Sequence, residues 1–219
     1  MPKCHVVIEG RPNDHPLGPT GTVGLVKDGS SVILIDVGDP WNGRELLQKL
    51  EMIHGAPATI THVVVTHGHL DHCANLGLFQ EATIVMDWDL GKRSRVDQRK
   101  TEYRVIEGWP FRISDSCELM NLSGHTASDT IVIVRNKSKA TVVYSGDLVE
   151  DSQDLQIFEK NQLELLEFSD TSKSYENNLL ISQEFIFGSG DVIVPGHGAL
   201  FLNSDRIYFL FFGFWRRFM

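Results

Sequence analysis

Three imidazoles and a carboxylate fall within six residues of this chain, in the run Thr66-His67-Gly68-His69-Leu70-Asp71-His72, directly after the apolar stretch Val63–Val65. A continuing strand would alternate these side chains between two faces, so donors this dense converge only if the chain leaves the strand as a loop at this point. Imidazole nitrogen and carboxylate oxygen together suit a borderline-hard cation such as zinc. Four donors in one loop do not complete two metal shells. The fold must therefore bring further donors to the same place from distant parts of the chain.

Three candidates share one pattern, in which a strand-like run is followed by a small residue and a donor. Ser123-Gly124-His125-Thr126 follows Leu119–Leu122, Ser145-Gly146-Asp147 follows Val142–Tyr144, and Pro195-Gly196-His197-Gly198 follows Val192–Val194. Glycine beside each donor lets the backbone approach a metal closely. Each is an ordinary turn when taken singly; after the histidine-rich loop, in this order, they read as a set. Short β-branched runs recur at Val6–Ile8, Val23–Val26, Val32–Ile35, Ile84–Met86 and Ile131–Val134 as well, and predict strands. Between them, residues 44–54 place Leu46, Leu47, Leu50 and Ile53 at helical spacing, and Leu163, Leu165, Leu166, Leu179, Leu180 and Phe185 suggest a second helical region. Strands mixed with sparse helices predict α/β layers with helices on the outer faces of a sheet core.

In the order and spacing of these motifs, from Asp36 to His197, the chain resembles the metallo-β-lactamase fold superfamily. The resemblance implies a four-layered αββα sandwich and two zinc ions per chain. His67, His69 and His125 would hold one metal, Asp71, His72 and His197 the second, with Asp147 bridging both and Asp71 also orienting the attacking water. Asp36, in Ile33-Leu34-Ile35-Asp36-Val37-Gly38, would support a ligand histidine from behind. The β-lactamases of this fold usually carry cysteine where this chain has Asp147, which favours the branch with glyoxalase II, lactonases and metallo-RNases. Only 22 residues follow His197 and 49 separate it from Asp147, too few for the extra domains of the larger members.

Asp36-Val37-Gly38-Asp39-Pro40-Trp41, His72-Cys73-Ala74-Asn75-Leu76-Gly77-Leu78-Phe79 and Gly146-Asp147-Leu148-Val149-Glu150-Asp151 bear a closer resemblance, to the animal metallo-β-lactamase domain family of the first type. That likeness implies a zinc-dependent, homodimeric endoribonuclease of cytosol and nucleus. It would cleave the 3′ end of replication-dependent histone pre-mRNA by attack of activated water on phosphorus. A glyoxalase II-like hydrolase of a small thioester or lactone is the alternative, and a mononuclear iron dioxygenase a second one, because its metal-binding residues overlap with these.

Charge bears on the RNA reading. Twenty basic against twenty-nine acidic side chains give −9, which disfavours a protein that coats nucleic acid with its whole surface. A local strip is compatible with it: Lys92-Arg93-Ser94-Arg95, then Arg99-Lys100, is a candidate phosphate contact through Lys92, Arg93 and Arg95. Three scattered cysteines argue against a disulfide framework, and the first residues lack the apolar core of a signal peptide, so the chain reads as a reducing-compartment protein. The longest apolar stretch, Ile207–Trp215, is nine residues, about half of what a membrane span needs, so no stable membrane insertion is expected. Residues 1–200 read as one hydrolase domain and 201–219 as an atypical aromatic-rich tail.

Overall fold

The computed structural model describes residues 1–94, 97, 100–136, 140–167 and 174–203, the side chains of 161–167 and 174–177 excepted. Two twisted sheets pack face to face with helices on both outer sides. The first sheet holds β1 (Lys3–Ile8), β2 (Val23–Asp28), β3 (Ser31–Ile35), β4 (His62–Val65), β5 (Thr83–Met86), β6 (Asp89–Arg93) and β7 (Thr101–Val105), side by side in chain order. In the second sheet the spatial order is β13 (Phe201–Leu202), β12 (Val192–Pro195), β11 (Val142–Gly146), β10 (Asp129–Val134), β9 (Cys117–Leu122) and β8 (Phe111–Arg112).

Strand alternation sorts the apolar residues into three cores. In β3, Ile33 and Ile35 face the other sheet and Leu34 faces outward; in β4, Val64 faces inward and Val63 and Val65 outward. In β10, Val132 and Val134 meet the first sheet while Ile131 and Ile133 meet the helices beyond. The central strands are thus covered on both faces, which explains why they read as unbroken β-branched runs.

The outer layers are amphipathic helices. In α1 (Gly43–Ile53), Leu46 and Leu50 are fully buried against the first sheet, each contributing on the order of 1.5–3 kcal/mol. Glu45 and Lys49, 2.7 Å apart, pair along its outer side, and Gly55, at φ +115°, carries the chain out of the helix. On the second sheet, α3 (Gln153–Glu167) and α4 (Ser174–Ser189) supply Phe158, Ile186 and Phe187 to the third core. The side chains of Leu163, Leu165 and Leu166 lie outside the described residues, whereas Leu179, Leu180 and Phe185 pack against this core. The layer order is therefore αββα.

Phe201 and Leu202 pair with Ile193 and Val192, and the Asn203 side-chain amide donates to the carbonyls of Phe187 and Gly190. The second sheet thus runs past the boundary expected at residue 200; residues 204–219 of the tail lie outside the described residues. Among the described residues, no helix is long and apolar enough to cross a membrane.

Candidate metal centre

The donors stand where strands end. β3 and β4 run parallel, as do β11 and β12, so their C-terminal ends lie side by side at one edge of the sandwich. Asp36 leaves β3, the histidine loop leaves β4 and passes into the short helix α2 (Leu70–Cys73), Asp147 leaves β11 and His197 follows β12. His125 lies on the loop between the antiparallel β9 and β10, whose conformation Asp129 fixes by accepting from Thr126 N (2.9 Å) and Thr126 Oγ1 (2.8 Å). Three bonds clamp the sheets together here: Thr130 N to Thr66 O (2.7 Å), Thr22 N to Gly196 O (2.7 Å) and His197 Nδ1 to Arg11 O (2.8 Å).

Two groups of donor atoms result, His67, His69, His125 and Asp147 in one and Asp71, His72 and His197 in the other. In the first, His69 Nδ1 lies 2.9 Å from His67 Nε2 and 3.0 Å from His125 Nε2, and Asp147 Oδ2 lies 3.6 and 3.5 Å from the latter two. In the second, Asp71 Oδ2 lies 3.8 Å from His72 Nε2 and 3.6 Å from His197 Nε2. Asp147 joins the groups, with Oδ1 3.1 Å from His72 Nε2 and Oδ2 3.1 Å from His197 Nε2. The loops close in so tightly that only glycine fits at two positions. A Cβ on Gly196 would overlap Asp147 Oδ1, and one on Gly21 would come within 2.6 Å of the His72 ring.

Each inner ring is held from behind. Asp36 is buried at φ +57° and accepts from Thr66 N (2.7 Å), Thr66 Oγ1 (2.8 Å) and His72 Nδ1 (2.8 Å). The Thr66 hydroxyl, its proton committed to Asp36, accepts in turn from His67 Nδ1 (3.1 Å). The carbonyl of Arg11 only accepts, so His197 Nδ1 carries the proton there. With Nδ1 protonated in all three rings, each Nε2 is the atom left to face the cluster, the arrangement of a histidine prepared to bind metal.

The electrostatics agree with a cation site. Burial, reinforced by the charge on His72, pulls His67 down to about 3, so its ring is neutral at physiological pH. Burial would also lower His72, but the carboxylates of Asp36 and Asp147 outweigh it and hold its affinity for a proton well above normal. Burial would raise the Asp147 carboxyl; His197 and His72 outweigh that and keep it far below the usual carboxylate range. A cation would compete with protons for these atoms. His72 Nε2 and Asp147 Oδ1 are buried with no hydrogen-bond partner of acceptable geometry, an expensive arrangement unless something else satisfies them. Imidazole nitrogens gathered 3.1–3.6 Å from a shared carboxylate suit zinc-like ions.

The basic strip is not brought to this centre. Lys92 and Arg93 end β6, just past the Gly91–Ile84 pair, while the donors leave the opposite end of the neighbouring strands. They stand roughly 10 Å back along the sheet from the level of Val65. There they line a groove of about 500 Å³ that also includes Met86, Asp87 and Tyr103. Arg93 Nη1 donates to Gln80 Oε1 (2.8 Å), and Arg95 and Arg99 lie outside the described residues. What the sequence left unseen is the support: Thr66 beside the histidine loop, the Arg11 carbonyl, and Asp129 behind His125.

Fold, donor geometry and sequence likeness point the same way. The family model for the metallo-β-lactamase superfamily matches residues 18–88. Metallo-beta-lactamase domain-containing protein 1 of Xenopus laevis is 34% identical over 90% of this chain and 80% of its own length. The protein of the same name from Homo sapiens is 32% identical over 88% of this chain and 69% of its own. The chain belongs to the metallo-β-lactamase superfamily. Among solved structures, a candidate metallo-β-lactamase of Thermotoga maritima superposes with a TM-score of 0.67 at 17% identity, covering 92% of this chain and 99% of that one.

Proposed function

We propose that this chain is a dinuclear metal-dependent hydrolase and, as the finer reading, an endoribonuclease acting on histone pre-mRNA. The observation that carries the hydrolase is the pair of donor sets sharing Asp147. His67, His69 and His125 would hold one ion, Asp71, His72 and His197 the other, with Asp147 between them. When bound, two such ions supply Lewis-acid activation of the attacking water and charge stabilisation at the electrophile.

The protein's own contribution is placement. Asp36, Thr66 and the Arg11 carbonyl fix the ring tautomers in advance, so the donors face the cluster before substrate arrives. Buried Asp147 lies behind the cluster, while Asp71, whose side chain is 21% exposed against 4% for Asp147, borders its mouth. Besides holding the second ion, Asp71 is therefore the carboxylate placed to orient an incoming water. His69 is exposed and His125 half-exposed, so the cluster is open to solvent on their side as well as at Asp71.

RNA as substrate rests on the motifs around Asp36, His72 and Asp147 that carry the closer family likeness. The donor set alone serves phosphodiester, thioester and lactone equally. The test is elemental analysis of the purified protein, combined with cleavage assays on a histone 3′-end RNA and a glutathione thioester. Two zinc ions per chain and site-specific RNA cleavage are expected. Thioester turnover without RNA cleavage would replace the nuclease reading with the glyoxalase-like one. A single iron and no zinc would move the chain to the dioxygenases.

A further inference from the structure

Three large apolar side chains stand exposed around one groove of about 630 Å³, namely Leu17 (76%), Trp41 (85%) and Leu70 (61%). Its wall also holds Pro40, one cation, Arg11, and three carboxylates, Asp39, Glu45 and Asp71. Asp71 also belongs to the second donor set, so the groove opens directly onto the candidate metal centre. Its volume falls within the roughly 300–1,000 Å³ of small-molecule sites. Apolar side chains clustered in the open beside a polar site contribute nothing to the core and mark a binding surface.

The wall is rigid even though its side chains are bare. Pro40 restricts the turn, Trp41 N donates to Asp39 Oδ1 (2.9 Å), and Asn42 N donates to the same oxygen (3.0 Å). The Asn42 amide is itself tied to Thr20 Oγ1 (2.9 Å) and Asn75 (3.1 Å). The indole is thus presented by a fixed turn. Across from it, the Arg11 carbonyl accepts from His197 while its side chain turns to the groove. Arg11 Nε donates to Gly18 O (3.2 Å), and Nη2 forms a long ion pair with Asp39 Oδ2 (3.9 Å) that leaves its N–H groups without a direct hydrogen bond to that carboxylate. The guanidinium therefore keeps donors for a ligand within the groove it lines.

Resting on the RNA reading above, we propose that this groove seats the nucleotide next to the scissile phosphodiester, its base stacked on Trp41 and its phosphate on Arg11. A purely aliphatic chain would use the leucines but neither the cation nor a rigid, open indole face. A planar base joined to an anionic phosphate uses all of them. The distance from groove to cluster is one residue wide at Asp71, which suits an immediate neighbour of the cleaved bond.

A substrate-variant cycle tests this. Cleavage of a histone 3′-end RNA is compared with the same RNA carrying an abasic nucleotide beside the cleaved bond, for the native protein, Trp41→Phe and Trp41→Ala. Trp41→Ala should lower kcat/KM on intact RNA by about 5- to 150-fold, the worth of one stacked base, and add almost nothing on the abasic RNA. Trp41→Phe should retain most activity. Arg11→Gln, which preserves the carbonyl that orients His197, should flatten the salt dependence of RNA binding by about one unit in the log–log slope. Equal losses for Trp41→Ala on both RNAs would overturn the assignment. So would a change in molecular mass in sedimentation, which would make the groove a self-association face. If the native, metal-loaded protein cuts no RNA, the nuclease reading fails and the nucleotide assignment with it. If native protein and Trp41→Ala cut RNA equally well, the groove assignment fails alone.

Discussion

Asp36→Asn isolates the contribution of a single proton. Asparagine keeps the size of Asp36 and tolerates its φ of +57°, where alanine would add roughly 1–2 kcal/mol of backbone strain. The carboxylate accepts three hydrogen bonds, from Thr66 N, Thr66 Oγ1 and His72 Nδ1. Asparagine in the same place must keep its carbonyl toward Thr66 N, because the reverse orientation would set an amine against that buried N–H. The amine then faces both the Thr66 hydroxyl and His72 Nδ1; the hydroxyl can turn its proton away and still accept from His67 Nδ1, but the imidazole nitrogen has to give up its proton to become an acceptor. The ring proton moves to Nε2 and points into the second donor group.

Loss of such outer support lowers metal affinity by about 10- to 100-fold, or roughly 1.4–2.7 kcal/mol. A lost hydrogen bond to a buried charge costs folding about 1.5–3 kcal/mol, a fall in Tm on the order of 3–12 °C for a chain of this size. The assay is competition of the loaded protein against a chelator of known affinity, read by elemental analysis, with thermal unfolding alongside. One metal should be retained at native affinity and the other weakened. If both remain at native affinity while stability falls, Asp36 is a packing residue and the tautomer reasoning is wrong.

Asp71→Ala should lower hydrolysis by about a hundredfold or more with little change in urea midpoint, because its side chain sits at the mouth of the cluster rather than in a core; activity above roughly a tenth of native would contradict the role. Lys92 and Arg93 stand roughly 10 Å back from the donors, so they reach only an RNA that extends past the cleaved bond along the first sheet; on such an RNA, Lys92→Gln combined with Arg93→Gln should flatten the salt dependence of binding by about one unit per lost contact and leave small-ester turnover within about twofold. An unchanged slope would make the strip a solvated face. Burial pushes the Cys117 thiol up to about 12 and Cys4 up to about 11. The folded state thus keeps protons that unfolded thiols release. The resulting stability is complete below about pH 9 and falls as pH rises toward those values, by up to about 1.4 kcal/mol per unit per thiol. Urea unfolding between pH 8 and 11 should show that decline, shallower in Cys117→Ala; identical slopes would refute it.

The strands legible in the sequence are those with buried faces. β3, β4, β10 and β12 announce themselves because both sides of each meet a core. β6 and β7 do not: β7 is exposed along its whole length, so Thr101-Glu102-Tyr103-Arg104-Val105 carries alternation without burial, and its hairpin partner was readable only as a run of charge. The donors were legible because histidine is scarce and its clustering improbable. Their supports were not. A backbone carbonyl such as that of Arg11 leaves no trace in residue identity, and Thr66 or Asp129 resembles any polar residue at a strand end. Trp41 stood in a motif quoted for its likeness to relatives, yet nothing in one dimension separates an exposed indole from a core one.

Fold and site became readable together because parallel pairing links them. In an antiparallel hairpin successive strands end at opposite edges, so donors at consecutive strand ends would be separated by the length of the sheet. β3 with β4 and β11 with β12 are parallel, and each pair therefore sends two chain exits to the same edge. Facing the two sheets brings both pairs of exits within a few ångströms, which is where Asp36, His67, Asp147 and His197 are found. His125 enters from an antiparallel connection only because the β9–β10 turn happens to lie at that edge, and Thr130 N pins it to Thr66 O. Register is the remaining constraint. Shifting β4 by one residue would exchange Val64 with Val63 and Val65 between cores and rotate the histidine loop away from Asp147. The same alternation that fills the three cores thus sets the direction in which the donors leave their strands.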